Sequence, residues 1–205
     1  MKKKYNFFIF DLDGVIFDSK KNMFLSWEAT KHKFRLKATF ESYFQNIGKP
    51  FDDIMKSLNV QPSKKIANCY KENSLKYISR IKLYPNVIKI LNLLNKKKIK
   101  FSIVTSKDRV RTLFLLNKFK IIPYSVHCPR KNILGKPNPD MLISAIKKSK
   151  LKNIKTCYVG DTHIDRKAAK NAKIDFIFAS YGYELQRMPK NTIYINNFKD
   201  LKSYM

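Results

Sequence analysis

Apolar residues fill four consecutive positions, Phe7 to Phe10, and the run stops abruptly at Asp11. A short unbroken run of this kind marks a strand buried on both faces. From Ser19, a plausible helix N-cap, the pattern changes to helical spacing for some 60 residues with no convincing strand. Met23, Phe24, Trp27 and Phe34 give one apolar stripe, and Phe40, Tyr43, Phe44 and Ile47 a second. Ile54, Met55 and Leu58 give a third after the break at Gly48-Lys49-Pro50, and Ile66, Tyr70, Leu75 and Ile78 mark a longer helix over 63–81. Beyond Tyr84-Pro85 the pattern alternates. Helices are expected over 85–97, 109–119, from near Pro139, and over 165–172, with strands over 99–104, 124–127, 156–159, 174–179 and 192–195. Such alternation predicts an α/β fold, a Rossmann-like core with a parallel sheet and helices on both faces.

The helical block is too long for an ordinary connection of about 4 to 6 residues. It reads as an inserted all-helical cap over 19–83, with the core formed by 1–18 and 84–205. The 205 residues are ample for a sizeable core, and 44% hydrophobic content with 13% aromatics is globular in character. No apolar run reaches the roughly 20 residues of a membrane span. The basic start at Met1-Lys2-Lys3-Lys4 is followed by too short an apolar segment for a signal peptide, so a cytoplasmic location is expected.

Charge changes the picture more. The formal net charge is +28, with 43 basic residues of which 36 are Lys and 7 Arg. They are spread along the chain without a dense block or an aromatic platform, and Lys lacks the bidentate geometry that favours Arg in base reading. Dedicated nucleic-acid binding is therefore not expected, although a basic nucleic-acid-binding protein on the same fold is the non-enzyme alternative. A diffuse basic surface attracts phosphorylated small molecules. Cys69, Cys128 and Cys157 are odd in number and far apart, forming neither a disulfide framework nor a zinc site.

Candidate chemistry sits where predicted strands end. Asp11 and Asp13 stand two residues apart at the carboxyl end of the first strand, where ligands bind in open α/β sheets. Carboxylates this close repel unless a cation or shared proton offsets them, and oxygen ligands suit Mg²⁺. Gly14 allows a sharp turn or a close approach to a bound group. Thr105-Ser106-Lys107 follows the strand over 99–104, offering hydroxyls and backbone N–H groups for phosphate oxygens. Lys136 lies in Gly135-Lys136-Pro137, where two nearby prolines restrict its reach and a positioned cation can offset acidic and phosphoryl charge. Asp161 ends another strand, and Asp165 follows four residues on, near enough to share a helix face.

In that order, Asp11-Leu12-Asp13-Gly14, a hydroxyl after a strand, Gly135-Lys136-Pro137 and Gly160-Asp161 with Asp165 resemble the four motifs of the haloacid dehalogenase superfamily. The helical block after the first motif resembles the subgroup that includes phosphoglycolate phosphatases and β-phosphoglucomutases. This resemblance implies Mg²⁺ dependence and an aspartyl-phosphate intermediate, with Asp11 as nucleophile and Asp13 as acid and then base. It implies metal ligation by Asp11, the backbone carbonyl of Asp13, Asp161 and, directly or through water, Asp165. Thr105, with Ser106, would bind the transferred phosphoryl group, and Lys136 would hold the Asp11 carboxylate. Lys49, at the break in the cap, is the candidate for reading an anionic part of the substrate. The expected activity is hydrolysis of a small phosphorylated metabolite, phosphoglycolate-like or a sugar phosphate, with a phosphomutase as the alternative.

Overall fold

The computed structural model describes residues 3–184 and 188–205. Six strands form one parallel sheet: β1 (Phe7–Phe10), β4 (Lys100–Val104), β5 (Ser125–His127), β6 (Thr156–Gly160), β7 (Asp175–Ala179) and β8 (Ile193–Ile195). Their order is β5-β4-β1-β6-β7-β8, which puts β1 between β4 and β6. Chain direction from β1 runs outward both ways, so the crevice where strand order reverses lies above the carboxyl end of β1. Asp11 occupies that position.

Alternation along β1 explains the two layers. Phe8 and Phe10 join Val87, Ile90, Leu91 and Leu94 of α5 (Val87–Lys96), Leu115 and Leu116 of α6 (Arg109–Lys118), and the C-terminal 3₁₀ turn at Phe198–Tyr204. Phe7 and Ile9 face the other way, onto Met141, Leu142 and Ala145 of α7 (Asp140–Ser149) and Ala168 and Ala169 of α8 (His163–Asn171). All four β1 side chains are fully buried, as an apolar run without polar alternation requires. The expected parallel sheet with helices on both faces is what the chain forms.

Between β1 and α5 stand α1 (Lys20–Phe34), α2 (Phe40–Phe44), α3 (Phe51–Ser57) and α4 (Lys64–Lys76). They bury a cluster of their own around Trp27, Tyr43, Met55 and Tyr70, which one residue from outside the segment, Tyr183, also joins. Two details depart from the sequence reading. Phe17–Asp18 (β2) and Lys82–Leu83 (β3) pair antiparallel and tie together the two ends of the helical segment. Two-residue strands are too short to leave a periodic signature. Leu75 is 37% exposed rather than part of the α4 stripe, and Ser74 takes the inward place. Ser74 Oγ donates to Asn22 Oδ1 at 3.0 Å, and Asn22 Nδ2 donates to the Ser74 carbonyl at 2.8 Å. The α1–α4 contact is thus partly polar, which apolar periodicity does not reveal.

Among the described residues no helix is long and apolar enough to cross a membrane. The three cysteines are free and buried.

Candidate active site

Asp11 leaves the end of β1 with its backbone N–H donating to the Val159 carbonyl of β6, so the ladder continues one residue past the strand and fixes the side chain over the sheet edge. Lys136 Nζ lies 2.9 Å from Asp11 Oδ2 and 2.6 Å from Asp165 Oδ1, and is 1% exposed. A buried ammonium survives only with such partners. Burial alone pushes it down, but the two carboxylates hold Lys136 above the usual lysine range.

Asp165 is held from every side. Tyr158 donates its hydroxyl to Oδ1 at 2.9 Å, and the Thr162 N–H and hydroxyl donate to Oδ2 at 3.0 and 2.6 Å. The Thr162 oxygen in turn accepts from the Asp165 N–H at 3.2 Å. This is a capping box, and it starts α8 two residues earlier than the spacing predicts. Asp165 therefore serves as the fixed post that aims Lys136 at Asp11.

Asp161 is fully buried, and its Oδ2 accepts from the Tyr183 N–H at 2.8 Å. Its Oδ1 has no partner among the described residues. Burial, then Asp165, then Asp11 push its carboxyl well above the ordinary range. Asp11 is pushed up to about 7 by burial, against the pull of Lys136 and with further push from Asp165. One carboxylate oxygen from each of Asp11, Asp161 and Asp165 lies within 4.8 Å of the others. An orphaned buried carboxylate oxygen amid acids with raised proton affinity is what a divalent cation relieves, and all donors are the hard oxygens that Mg²⁺ takes. The residues fit the metal.

Gly14 has φ +84°, and a Cβ there would lie 1.9 Å from Asp161 Oδ2. Gly182 is as crowded, its added Cβ falling 2.2 Å from Asp161 Cβ. Both glycines make room for this one carboxylate. The Gly14 N–H donates to the Phe17 carbonyl at 2.8 Å, so it is committed within its own turn rather than turned to a ligand.

Asp13 stands apart from the three-acid group. Its Oδ1 accepts from Ser19 Oγ at 2.5 Å, and its Oδ2 lies 3.1 Å from Lys107 Nζ. Ser19, expected to cap α1, spends its hydroxyl on Asp13 and makes no side-chain cap. Tyr183 ties this corner to the rest: its hydroxyl is 2.6 Å from the Ser19 nitrogen, which donates to it, and its own N–H holds Asp161.

Thr105 follows β4 and is 2% exposed, its Oγ1 accepting from the Lys107 N–H at 3.2 Å, which leaves its hydroxyl proton free to donate. Ser106 Oγ donates to the Gly48 carbonyl at 2.6 Å, linking the loop after β4 to the helical segment. Lys49 Nζ donates to Asn46 Oδ1 at 2.8 Å and Ser57 Oγ at 3.1 Å, both neutral. Asp11, Asp13, Thr105, Ser106, Lys136, Asp161 and Lys49 all line one pocket of about 60 Å³, roofed by Ile47, Gly48, Phe51 and Ile54. Gly14 and Asp165 lie behind its wall.

Three polar lining residues outside the helical stripes have no role in the sequence reading: Lys107, Thr162 and Tyr183. Lys107 is one of 36 lysines, and its only signal is adjacency to Thr105-Ser106. Tyr183 follows the end of β7 in Tyr181-Gly182-Tyr183, where a glycine between aromatics past a strand was the available cue.

The chain matches the family model described as haloacid dehalogenase-like hydrolase over residues 8–179. A Clostridium perfringens protein provisionally named pyrophosphatase PpaX is 28% identical over 169 residues, covering 80% of this chain and 78% of that one. The pyrophosphatase PpaX of Anoxybacillus flavithermus is 27% identical over 171 residues, covering 82% and 80%. Among solved structures, a Lactobacillus plantarum protein provisionally described as a phosphoglycolate phosphatase superposes with TM-score 0.87 at 18% identity, covering 98% of this chain and all of that one. With strand topology, buried acids and family match in agreement, the chain belongs to the haloacid dehalogenase-like hydrolases and is an enzyme of that family.

Proposed function

We propose that this chain is a Mg²⁺-dependent phosphatase that hydrolyses a small phosphorylated metabolite through an aspartyl-phosphate intermediate. The observation that carries the reading is Lys136 bridging Asp11 and Asp165 beside Asp161, whose Oδ1 has no partner among the described residues, in the wall of one pocket. Asp11 and Asp161 would hold the metal directly, with the Asp13 backbone carbonyl, while Asp165, its oxygens already taken by four donors, would support the site through Lys136. When bound, the metal supplies charge neutralisation for the transferred phosphoryl group and keeps Asp11 ionised.

An oxygen of Asp11 attacks phosphorus in line. The bond from phosphorus to the leaving oxygen breaks, and that oxygen takes its proton from Asp13. Water then attacks the phosphorus of the acyl phosphate and gives its proton back to Asp13, and the Asp11 carboxylate leaves. Lys136 and the Thr105 hydroxyl hold the transferring oxygens, and little is needed beyond this positioning and charge balance. The segment 19–83 acts as a cap: Gly48, Phe51 and Ile54 exclude water in the closed form, and release of the Ser106–Gly48 hydrogen bond accompanies opening.

The substrate classes expected from the motifs are phosphoglycolate-like esters and sugar phosphates, and the names of the Clostridium and Anoxybacillus relatives add pyrophosphate. The test is release of inorganic phosphate from p-nitrophenyl phosphate and from a panel of phosphorylated metabolites, with Mg²⁺ and with EDTA. Turnover should require the metal, and Asp11→Asn should lower it by at least about a thousandfold while the circular dichroism spectrum is unchanged. Wild-type rates in that variant would sink the mechanism.

A further inference from the structure

The pocket has two chemically distinct ends. One holds Asp11, Asp161, Lys136 and Thr105. The other holds Lys107 and Arg111 from the loop after β4 and from α6, facing Tyr43 of α2 and Tyr70 of α4. Arg111 is buried, and Asp108, the α6 N-cap, takes its Nε at 2.5 Å. That contact orients the guanidinium, whose carbon lies 5.4 Å from the centre of the Tyr70 ring. Tyr43 donates its hydroxyl to the Tyr70 hydroxyl at 2.9 Å, and both rings are at least 96% buried. Two buried cations side by side repel, and Asp13 and Asp108 are the carboxylates that offset them.

Asp13 joins the two ends, because its Oδ2 rests on Lys107. In the reaction proposed above, Asp13 protonates the leaving oxygen, so whatever that oxygen carries emerges beside Lys107 and Arg111 rather than beside Asp161. The cavity is about 60 Å³, small beside the roughly 300–1,000 Å³ of pockets that enclose drug-sized ligands, and this favours a compact leaving part.

We propose that Arg111 and Lys107, with the Tyr70 hydroxyl that Tyr43 orients, form a second anion subsite that selects substrates whose leaving part is small and itself bears a carboxylate or phosphate. This rests on the phosphatase reading and narrows it. Among the described residues Lys49 has neutral hydrogen-bond partners only, and it lies at the cap loop, a separate cation from this buried pair. The guanidinium offers a planar fork to carboxylate or phosphate oxygens, which an ammonium does not.

The test is a matched pair of substrates on the wild-type enzyme: phosphoglycolate against 2-hydroxyethyl phosphate, which replaces the carboxylate by a neutral hydroxymethyl group, with inorganic pyrophosphate as a third. The kcat/KM for phosphoglycolate or pyrophosphate should exceed that for 2-hydroxyethyl phosphate by at least about tenfold. In Arg111→Gln and Tyr70→Phe the ratio should fall, by about tenfold or more in the former. Equal kcat/KM for the matched pair in the wild type overturns the subsite, and needs no variant to fold. So does a ratio left unchanged by Arg111→Gln, whether both rates fall together or neither does. Phosphate release from the three substrates separates the two levels: no Mg²⁺-dependent release from any of them defeats the phosphatase reading, whereas release without selectivity defeats the subsite alone.

Discussion

At the scale of single residues, the site is built by burial against partners. Asp11 carries the clearest linkage. Its carboxyl is pushed up to about 7, above the unfolded value of 3.8, so the native chain binds more protons than the unfolded chain between about pH 4 and 7. For a carboxyl raised in this way, stability is highest at low pH and is lost as pH rises through that window. His127 works in the opposite sense, because burial and nearby cations lower it to about 4, and it favours unfolding as pH falls below 6.5. The Asp11 contribution is isolated by comparison with Asp11→Asn. In EDTA, the stability of wild type relative to this variant should improve by about 2–3 kcal/mol between pH 8 and pH 5, read from urea unfolding. Mg²⁺ should raise wild-type stability most at pH 8, where it meets ionised acids, and the variant much less.

Gly14 gives a second prediction at this scale. A side chain would adopt an unfavourable φ and overlap Asp161. Gly14→Ala should destabilise the metal-free protein by about 2–4 kcal/mol and weaken Mg²⁺ binding, measured by thermal unfolding across a Mg²⁺ titration. A variant as stable as wild type with the same metal affinity would show that Asp161 does not need this space.

At the scale of elements, strand ends and helix starts do the positioning. β1, β4 and β6 lie side by side, and the residues just past them, Asp11, Thr105 and Asp161, meet above one edge of the sheet. α8 begins with a capping box whose acid is also the post for Lys136, so helix initiation and site assembly use the same bonds. The helical segment touches this edge through Gly48, whose carbonyl accepts from Ser106. A hydrogen bond of this kind contributes about 1 kcal/mol net, roughly a fivefold bias in a closure equilibrium. Ser106→Ala should raise KM by about that factor while Tm moves by only a few degrees. An unchanged KM would mean that this bond has no part in closure.

At the scale of the whole molecule, charge dominates. A net charge of +28 makes an anionic substrate approach a positive body through water, where salt screens the attraction over about 10 Å at 0.1 M. Raising ionic strength from about 0.02 M to about 0.5 M should lower kcat/KM for pyrophosphate several-fold, and lower it less for p-nitrophenyl phosphate, which carries less charge. A profile independent of salt would leave the basic surface without a role in capture.

How much of this was legible before folding differs by feature. The apolar run at Phe7–Phe10, the alternation after Tyr84 and the long helical interval determined the parallel core and the four-helix block, because burial on two faces, one face or a stripe writes a distinct period into the chain. The acids and Lys136 were visible because each follows a strand end or a rigid turn. Only the tertiary structure decided which groups are spent on one another: Ser19 on Asp13, Ser106 on Gly48, Gly14 on room for Asp161, and Lys107 on Asp13. Those pairings join residues up to 147 positions apart, between Gly14 and Asp161, and local spacing holds no record of contacts closed across a sheet edge. Periodicity reports which face a residue turns to the core, whereas partner choice among buried polar groups is settled when several chain segments close on the same small volume.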